Sequence, residues 1–217
     1  MSSTSGTPSH GLRVLVADDH PLVAEAFMVM FQQHFQAEKV HLASSADMVL
    51  EIMKEHEIDL LLLDLMLEEG ISTAVLDTVK RRWPQTKVLV SSALPEENFG
   101  KRLIDEGADG FYSKRQNRQE LQEAVKTVLS GKKYLSNNLL YKLVFNKKMS
   151  AENPFDSLST REFEIVLNLL AGKPVNEIAE QLNLQRSTVS THKARAMEKL
   201  GVSSNDQLQQ LAAAHKI

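Results

Sequence analysis

Residues 12–19 read Leu12-Arg13-Val14-Leu15-Val16-Ala17-Asp18-Asp19, and residues 59–64 read Asp59-Leu60-Leu61-Leu62-Leu63-Asp64. Both are short apolar runs that end in acid. The runs at Val14, Leu60 and Val88 are apolar at consecutive positions, so both faces of each segment seek cover. This is the pattern of central strands in a parallel sheet with helices on either side. Working outward, five strands are expected at Leu12–Ala17, Val40–Ala43, Asp59–Asp64, Lys87–Ser92 and Gly110–Ser113. Helical patterns fall between and after them, near Pro21–His34, Ala46–His56, Ser72–Trp83, Glu96–Glu106 and Arg118–Ser130. Pro21 and Pro95 near first turns, Ser44 before Asp47 and Asn117 before Glu120 supply ordinary helix starts. Five βα units predict an α/β domain over residues 11–131, a doubly wound five-stranded parallel sheet.

Beyond it the character changes. Residues 132–154 read as a linker with one helix near Asn138–Phe145. Residues 155–217 read as an all-α four-helix domain: Thr160–Leu170, Val175–Leu182, Ser187–Leu200 and Asn205–His215. Gly172 and Gly201 follow the first and third helices, where C-caps prefer glycine. Residues 1–10, rich in Ser, Thr, Gly and Pro, lack the basic and apolar regions of a signal peptide and read as a mobile tail.

The 217 residues contain no cysteine, which removes disulfides, zinc-thiolate sites, iron–sulfur clusters and thiol nucleophiles. The longest apolar runs are four to six residues, against the roughly 20 of a membrane helix, so a cytoplasmic protein with no membrane partner is expected. The formal net charge of −3 hides a partition. Residues 11–131 hold 20 acids and 13 bases, net −7; residues 132–217 hold 8 acids and 12 bases, net +4. The front half is suited to cations and the back half to a polyanion.

In an open parallel sheet, ligands bind beyond the carboxyl ends of the strands. The first strand here ends in Asp18-Asp19, the third in Asp64, the fourth in Ser92, and the fifth is followed by Lys114. Crowded carboxylates repel one another, and a hard divalent cation such as Mg²⁺ relieves that by taking oxygen ligands and phosphate oxygens. A carboxylate in such a site can attack a phosphoryl donor and become an aspartyl-phosphate. Each residue also has a plain structural use: Asp18-Asp19 before His20-Pro21 can cap a helix, and Asp64 can cap a strand end. Their joint placement favours a site. The set resembles the receiver domain of bacterial two-component response regulators, with its flavodoxin-like sheet. The resemblance implies Asp64 as phosphoacceptor, Asp18, Asp19 and Asp64 as Mg²⁺ ligands, Lys114 pairing with the phosphate, and Ser92 with Phe111 as the switch pair. The sequence departs from the family at Leu67 and Glu68, where a methionine and a proline are usual, and Glu68-Glu69 adds charge near the site.

A helix-turn-helix needs a short bracing helix and a second helix whose start reaches base edges in the major groove. Val175–Leu182 and Ser187–Leu200, separated by the turn Asn183–Arg186, have those lengths. Val189, Ala196, Met197 and Leu200 keep inward spacing while the other face is polar and basic. The stretch from Leu158 to Asn205 resembles the LuxR-type helix-turn-helix, and the whole chain resembles a NarL/FixJ-type response regulator. The resemblance implies DNA contacts from Thr188, Ser190, Thr191, His192, Lys193, Ala194, Arg195 and Lys199. Against that, Ser159 with Glu162 fits a purely structural capping box, Arg195 and Lys199 can be a solvated pair, and His192 can be a packed core residue. The expected partners are a sensor histidine kinase as phosphoryl donor, double-stranded promoter DNA and a second copy of the chain when active. The expectation is a non-enzymatic transcription regulator. The alternative is a phosphorylation-independent DNA-binding protein whose receiver serves dimerisation or ligand sensing.

Overall fold

The computed structural model describes residues 11–67, 70–94, 96–145, 153–182, 184–215 and 217. The expected N-terminal tail, Glu68, Glu69, Pro95, Asn183 of the turn and residues 146–152 of the expected linker lie outside the described residues. Two compact units meet at residues 141 and 142.

In the first unit, β1 (Arg13–Ala17), β2 (Lys39–Ala43), β3 (Leu60–Asp64), β6 (Lys87–Ser92) and β7 (Gly110–Ser113) form one sheet in the order β2-β1-β3-β6-β7, every pair parallel. A two-stranded antiparallel hairpin, β4 (Met66–Leu67) with β5 (Gly70–Ile71), follows β3 directly. The helices are α1 (Pro21–Phe35), α2 (Ala46–Glu55), α3 (Thr73–Arg82), α4 (Glu96–Asp105) and α5 (Arg118–Leu129). Side chains alternate across a strand, and both faces of the central strands are covered. Val14, Val16, Leu60, Leu62 and Leu89 pack with Phe31 of α1 and with Ala124, Val125 and Val128 of α5. Leu15, Leu61, Leu63, Val88 and Val90 are equally buried and point to the other side, where α2, α3 and α4 supply Val49, Val79 and Phe99.

The edge opposite the acidic runs is tied by ion pairs. Arg13 donates to both oxygens of Asp59. Asp109 accepts from Lys80 Nζ at 2.7 Å and from the Val88 N–H at 2.9 Å. Burial alone would raise the Asp109 carboxyl; these donors outweigh it and hold the group below the usual range.

Two expectations change. The α2 cap is Ser45, whose Oγ accepts the Met48 N–H, because Ser45 and not Ser44 immediately precedes the first helical residue. Residues 132–141, expected as linker, belong to the first unit. Tyr134 bridges to Gly110, donating to Asp109 O and accepting from the Phe111 N–H, both at 3.0 Å. A Cβ on Gly110 would lie 2.9 Å from Leu89 Cδ1 and 3.0 Å from Tyr134 Cβ, so glycine lets this segment close on the sheet edge. Helix α6 (Asn137–Phe145) then begins, with Leu139 buried.

In the second unit, a 3₁₀ turn (Pro154–Ser157) leads to α7 (Thr160–Leu170), α8 (Val175–Gln181), α9 (Arg186–Leu200) and α10 (Asn205–Ala214). Ser159 and Glu162 form the expected capping box of α7. Phe155, Phe163, Val166, Ile178, Val189, Ala196, Leu200 and Leu208 are buried. Gly201 ends α9 at φ 66°, the left-handed position that glycine occupies without strain. Arg186, expected in the turn, is the first residue of α9. Among the described residues no helix is long and apolar enough to cross a membrane.

Candidate functional sites

The strand order places the ends of β1, β3 and β7 near one another, and three expected residues meet there. Asp18 and Asp64 are buried, at 2% and 4% exposure. Lys114 Nζ donates to Asp18 Oδ2 at 2.7 Å and to Asp64 Oδ2 at 2.6 Å. The second oxygens are held from the backbone: Asp18 Oδ1 accepts the His20 N–H at 3.0 Å, and Asp64 Oδ1 accepts the Met66 N–H at 3.2 Å. Ser72 Oγ donates to Asp64 O at 2.6 Å, anchoring the strand end itself. Ligand atoms of Asp18, Asp19, His20 and Asp64 all lie within 4.8 Å of one another.

The electrostatics follow from this crowding. Burial, joined by the negative Asp18, pushes the Asp64 carboxyl up, and the Lys114 ammonium and the Met66 N–H only partly offset that. Burial also works against the Lys114 charge, but its hydrogen bonds to Asp18 and Asp64 outweigh it and hold the ammonium above the usual lysine range. Three carboxylates against one ammonium leave a local excess of two negative charges. Oxygen donors at this spacing with uncompensated charge suit a hard divalent cation.

His20 was expected only as part of a helix start. Its Nδ1 lies 2.7 Å from Asp19 Oδ1, so it belongs to the acidic cluster. Its place beside the acid pair was the available signal. The hairpin after Asp64 gave no signal: two-residue strands are too short to show a period.

Ser92 and Phe111 are both buried, at 1% and 0% exposure. Val90 is in register with Phe111, and Ser92 points to the same side as Val90, so hydroxyl and ring share the face covered by α2, α3 and α4. Ser92 Oγ accepts the Leu94 N–H at 3.1 Å. Lys114 N–H donates to Ser92 O at 2.7 Å, joining the loop after β6 to the loop after β7.

In the second unit, α8 and α9 form a short-then-long helix pair. Val189, Ala196 and Leu200 are buried, while Ser190, Thr191, Ala194 and Arg195 are exposed. Thr188, His192 and Lys193 are half-buried. His192 Nδ1 lies inside without a hydrogen-bond partner among the described residues, so part of this side chain faces the helix packing. Lys199 has different company from the rest of the expected DNA-contact set. Its Nζ donates to Glu162 Oε2 at 2.6 Å and to Ser157 O at 3.3 Å. Glu162 is buried, which alone would raise its carboxyl; Lys199 and Ser159 outweigh that and hold it below the usual range. Lys199 therefore fastens the end of α9 to the start of α7.

Residues 14–126 match the response regulator receiver domain, and residues 156–212 match the bacterial regulatory proteins of the luxR family. The chain belongs to the response-regulator family. The response regulator GacA of Pseudomonas protegens is 32% identical over 205 residues, which cover 94% of this chain and 96% of that protein. The response regulator UvrY of Escherichia coli is 28% identical over 206 residues, 94% of each chain. Among solved structures, RcsB of Salmonella typhimurium gives a TM-score of 0.81 at 22% identity, covering 96% of this chain and 100% of that one. RcsB bound to promoter P1flhDC in the presence of the phosphomimetic BeF3⁻ gives 0.77 at 22% identity, covering 94% and 100%. The likeness to RcsB supports the fold. This response regulator thus joins a receiver domain to a LuxR-type DNA-binding domain, and its family is one of transcription regulators.

Proposed function

We propose that this response regulator accepts a phosphoryl group on Asp64 from a sensor histidine kinase, pairs with a second copy, and binds double-stranded promoter DNA in the cytoplasm to control transcription. The observation that carries this reading is the buried Asp64 carboxylate at a strand end, held by Lys114 and flanked by Asp18 and Asp19. Asp18, Asp19 and Asp64 fit Mg²⁺ by donor type and spacing. When bound, Mg²⁺ neutralises charge on the incoming phosphoryl oxygens. The rest is work for the chain. An oxygen of Asp64 attacks the phosphorus of the kinase's phosphohistidine, forming the O–P bond as the P–N bond breaks and the imidazole leaves. Lys114, already pointed at that oxygen, exchanges a carboxylate for a phosphoryl oxygen in its charge-assisted hydrogen bonds. The added charge of about −1.5 to −2 draws the Ser92 hydroxyl off the Leu94 N–H, and the space behind it admits Phe111.

For DNA, Arg195 and Lys193 are proposed as backbone-positioning cations, with Ser190, Thr191 and Ala194 facing base edges and Thr188 and His192 at the margin of the contact. RcsB has been solved on promoter DNA and as paired dimers on DNA. This chain is proposed to engage DNA in the same general manner.

The test is binding to genomic fragments captured from cells carrying wild type or Asp64→Ala, together with acid-labile phosphate on the purified chain after incubation with a small phosphodonor and Mg²⁺. Label on wild type alone and loss of captured sites in the variant are expected. A second reading, a receiver that works without phosphate, is favoured by the hairpin directly after Asp64, between whose strands the sequence places Glu68-Glu69. Under it Asp64→Ala binds the same sites as wild type.

A further inference from the structure

Helix α9 leads with Arg186, exposed at its first helical position. Side chains four apart share a strip of helix surface, and each leans toward the N-terminal end. Arg186 therefore heads the strip that continues through Ser190 and Ala194, both exposed and both proposed above to face base edges. Within the first two turns of α9, residues 186–192, the polar side chains behind Arg186 are four hydroxyls and one imidazole. A hydroxyl donates or accepts and so pairs with any base. A guanidinium fork offers two parallel donors, which match the O6 and N7 acceptors that guanine alone presents side by side in the major groove.

The cations of the second unit differ in their company. Arg161 and Lys199 are held at 2.8 and 2.6 Å by Glu164 and Glu162, whose side chains are only 5% exposed. The Arg186 side chain has no hydrogen bond or ion pair among the described residues. It lines a recess of about 390 Å³ together with Asn176, Ala179 and Glu180 of α8 and Leu184 of the turn. The guanidinium thus has room to reorient and gives up no existing contact when a ligand fixes it. Glu180 is exposed on the same recess. A carboxylate there repels a phosphate, whereas the O6 and N7 edge of guanine carries no net charge. The recess therefore favours a base over the DNA backbone as the partner of Arg186.

We infer that Arg186 is the residue with which this chain chooses sequence. As the start of α9 enters the major groove, two parallel N–H groups of Arg186 donate to O6 and N7 of one guanine in each half-site, and Ser190 and Ala194 follow behind. The inference rests on the DNA-binding reading above.

The experiment uses the full chain with beryllofluoride and Mg²⁺, as wild type and as Arg186→Ala, and a duplex library with a randomised central stretch. Wild type should enrich sites that fix a guanine at the same place in each half-site. Arg186→Ala should enrich the same flanking bases and leave that place open to all four. Its melting temperature should match wild type, since the side chain has no partner to lose. Fluorescence anisotropy on the selected duplex then isolates the contact. Replacing that guanine by 7-deazaguanine in one half-site removes the N7 acceptor. It should weaken wild type about tenfold, the effect of one lost hydrogen bond to a charged donor, and leave Arg186→Ala unchanged; the wild-type half of this comparison needs no variant. Arg186→Ala should lose about tenfold to a hundredfold in affinity per half-site on the selected duplex, and far less on a shuffled one. Equal weakening on both duplexes, with a salt slope lower by about one, makes Arg186 a phosphate contact and overturns the inference. A variant that still selects the guanine overturns it as well, as does a wild type indifferent to 7-deazaguanine. These three results leave DNA reading by α9 standing. A wild type that enriches no sequence overturns the DNA-binding reading and the inference with it.

Discussion

Lys114 bonds to two buried carboxylates at once, and replacing it with methionine, of similar length and no charge, tests the electrostatics of the site directly. In the wild type its ammonium lies 2.6 Å from Asp64 and 2.7 Å from Asp18, whose side chains are only 6% and 1% exposed. Removing one partner of a buried ion pair costs about 3–5 kcal/mol. The lower end applies here, because burial already raises the Asp64 carboxyl and loss of the ammonium raises it further, so that uptake of a proton relieves part of the cost. At about 3 kcal/mol, and about 2–4 °C per kcal/mol for a chain of this size, Lys114→Met should melt roughly 6–12 °C below wild type in metal-free buffer. Mg²⁺ should then recover more in the variant than in wild type, since in wild type the cation must share its carboxylates with the ammonium. Saturating Mg²⁺ at about 100 times its Kd would return about 2.7 kcal/mol. Thermal unfolding followed by circular dichroism, with and without Mg²⁺, reads both quantities. A metal-free variant within about 2 °C of wild type, or an equal Mg²⁺ response in the two proteins, would refute this account of the cluster.

Asp64→Asn should stabilise the metal-free chain at neutral pH. The folded carboxyl titrates above its unfolded value, so the cost of its charge is absent below the unfolded value and grows as pH rises through the folded one. The advantage of Asn should therefore close as pH falls toward the ordinary carboxylate range, in paired denaturant titrations. Lys199→Met should lose about 1 kcal/mol of stability, discounted because the lysine is partly exposed, and should leave the salt dependence of DNA affinity unchanged. Arg195→Ala and Lys193→Ala should each lower that slope by about one, and a fluorescence-anisotropy salt series separates the cases. The folded Glu162 carboxyl titrates below its unfolded value, so its contribution is present above the unfolded value and is lost as pH falls through the folded one; Lys199→Met should flatten that acid limb. Gly110→Ala should cost about 1–3 kcal/mol by overpacking, since the new methyl group would meet Leu89, Tyr134 and Val128 at 2.9–3.0 Å; an unchanged unfolding midpoint would show that Tyr134 packs loosely.

The sheet was legible because its central strands must be apolar on both faces. That requirement leaves consecutive runs such as Leu60–Leu63, which a half-exposed strand would not show. What escaped notice was settled by atoms distant in sequence. Residues 132–141 resemble a linker in composition, yet Tyr134 finds Asp109 O and the Phe111 N–H on the sheet edge, and Ser136 finds Glu96. The local clues were there, an apolar Tyr134-Leu135 before the Ser136 cap, but nothing in their spacing told what they would meet. Ser45 over Ser44 was a one-residue matter, decided by which hydroxyl reaches the Met48 N–H.

The chemistry of the sites divides along the same line. Asp18, Asp64 and Lys114 could be brought together on paper because parallel strands deliver all their carboxyl ends to one edge, so topology alone supplies proximity. No such constraint acts on α9, where a helix surface is continuous and a basic residue can turn outward or inward. Lys199 and Arg195 are one turn apart and chemically alike, yet Arg195 is exposed while Lys199 reaches Glu162, the very residue that closes the α7 capping box. The difference comes from the partner helix. Near the C-terminal end of α9 the start of α7 presents a buried carboxylate, and a buried carboxylate draws whichever cation can reach it. The positive charge of the back half is accordingly not all available to a polyanion, and the part reserved for internal structure is the part nearest a buried acid.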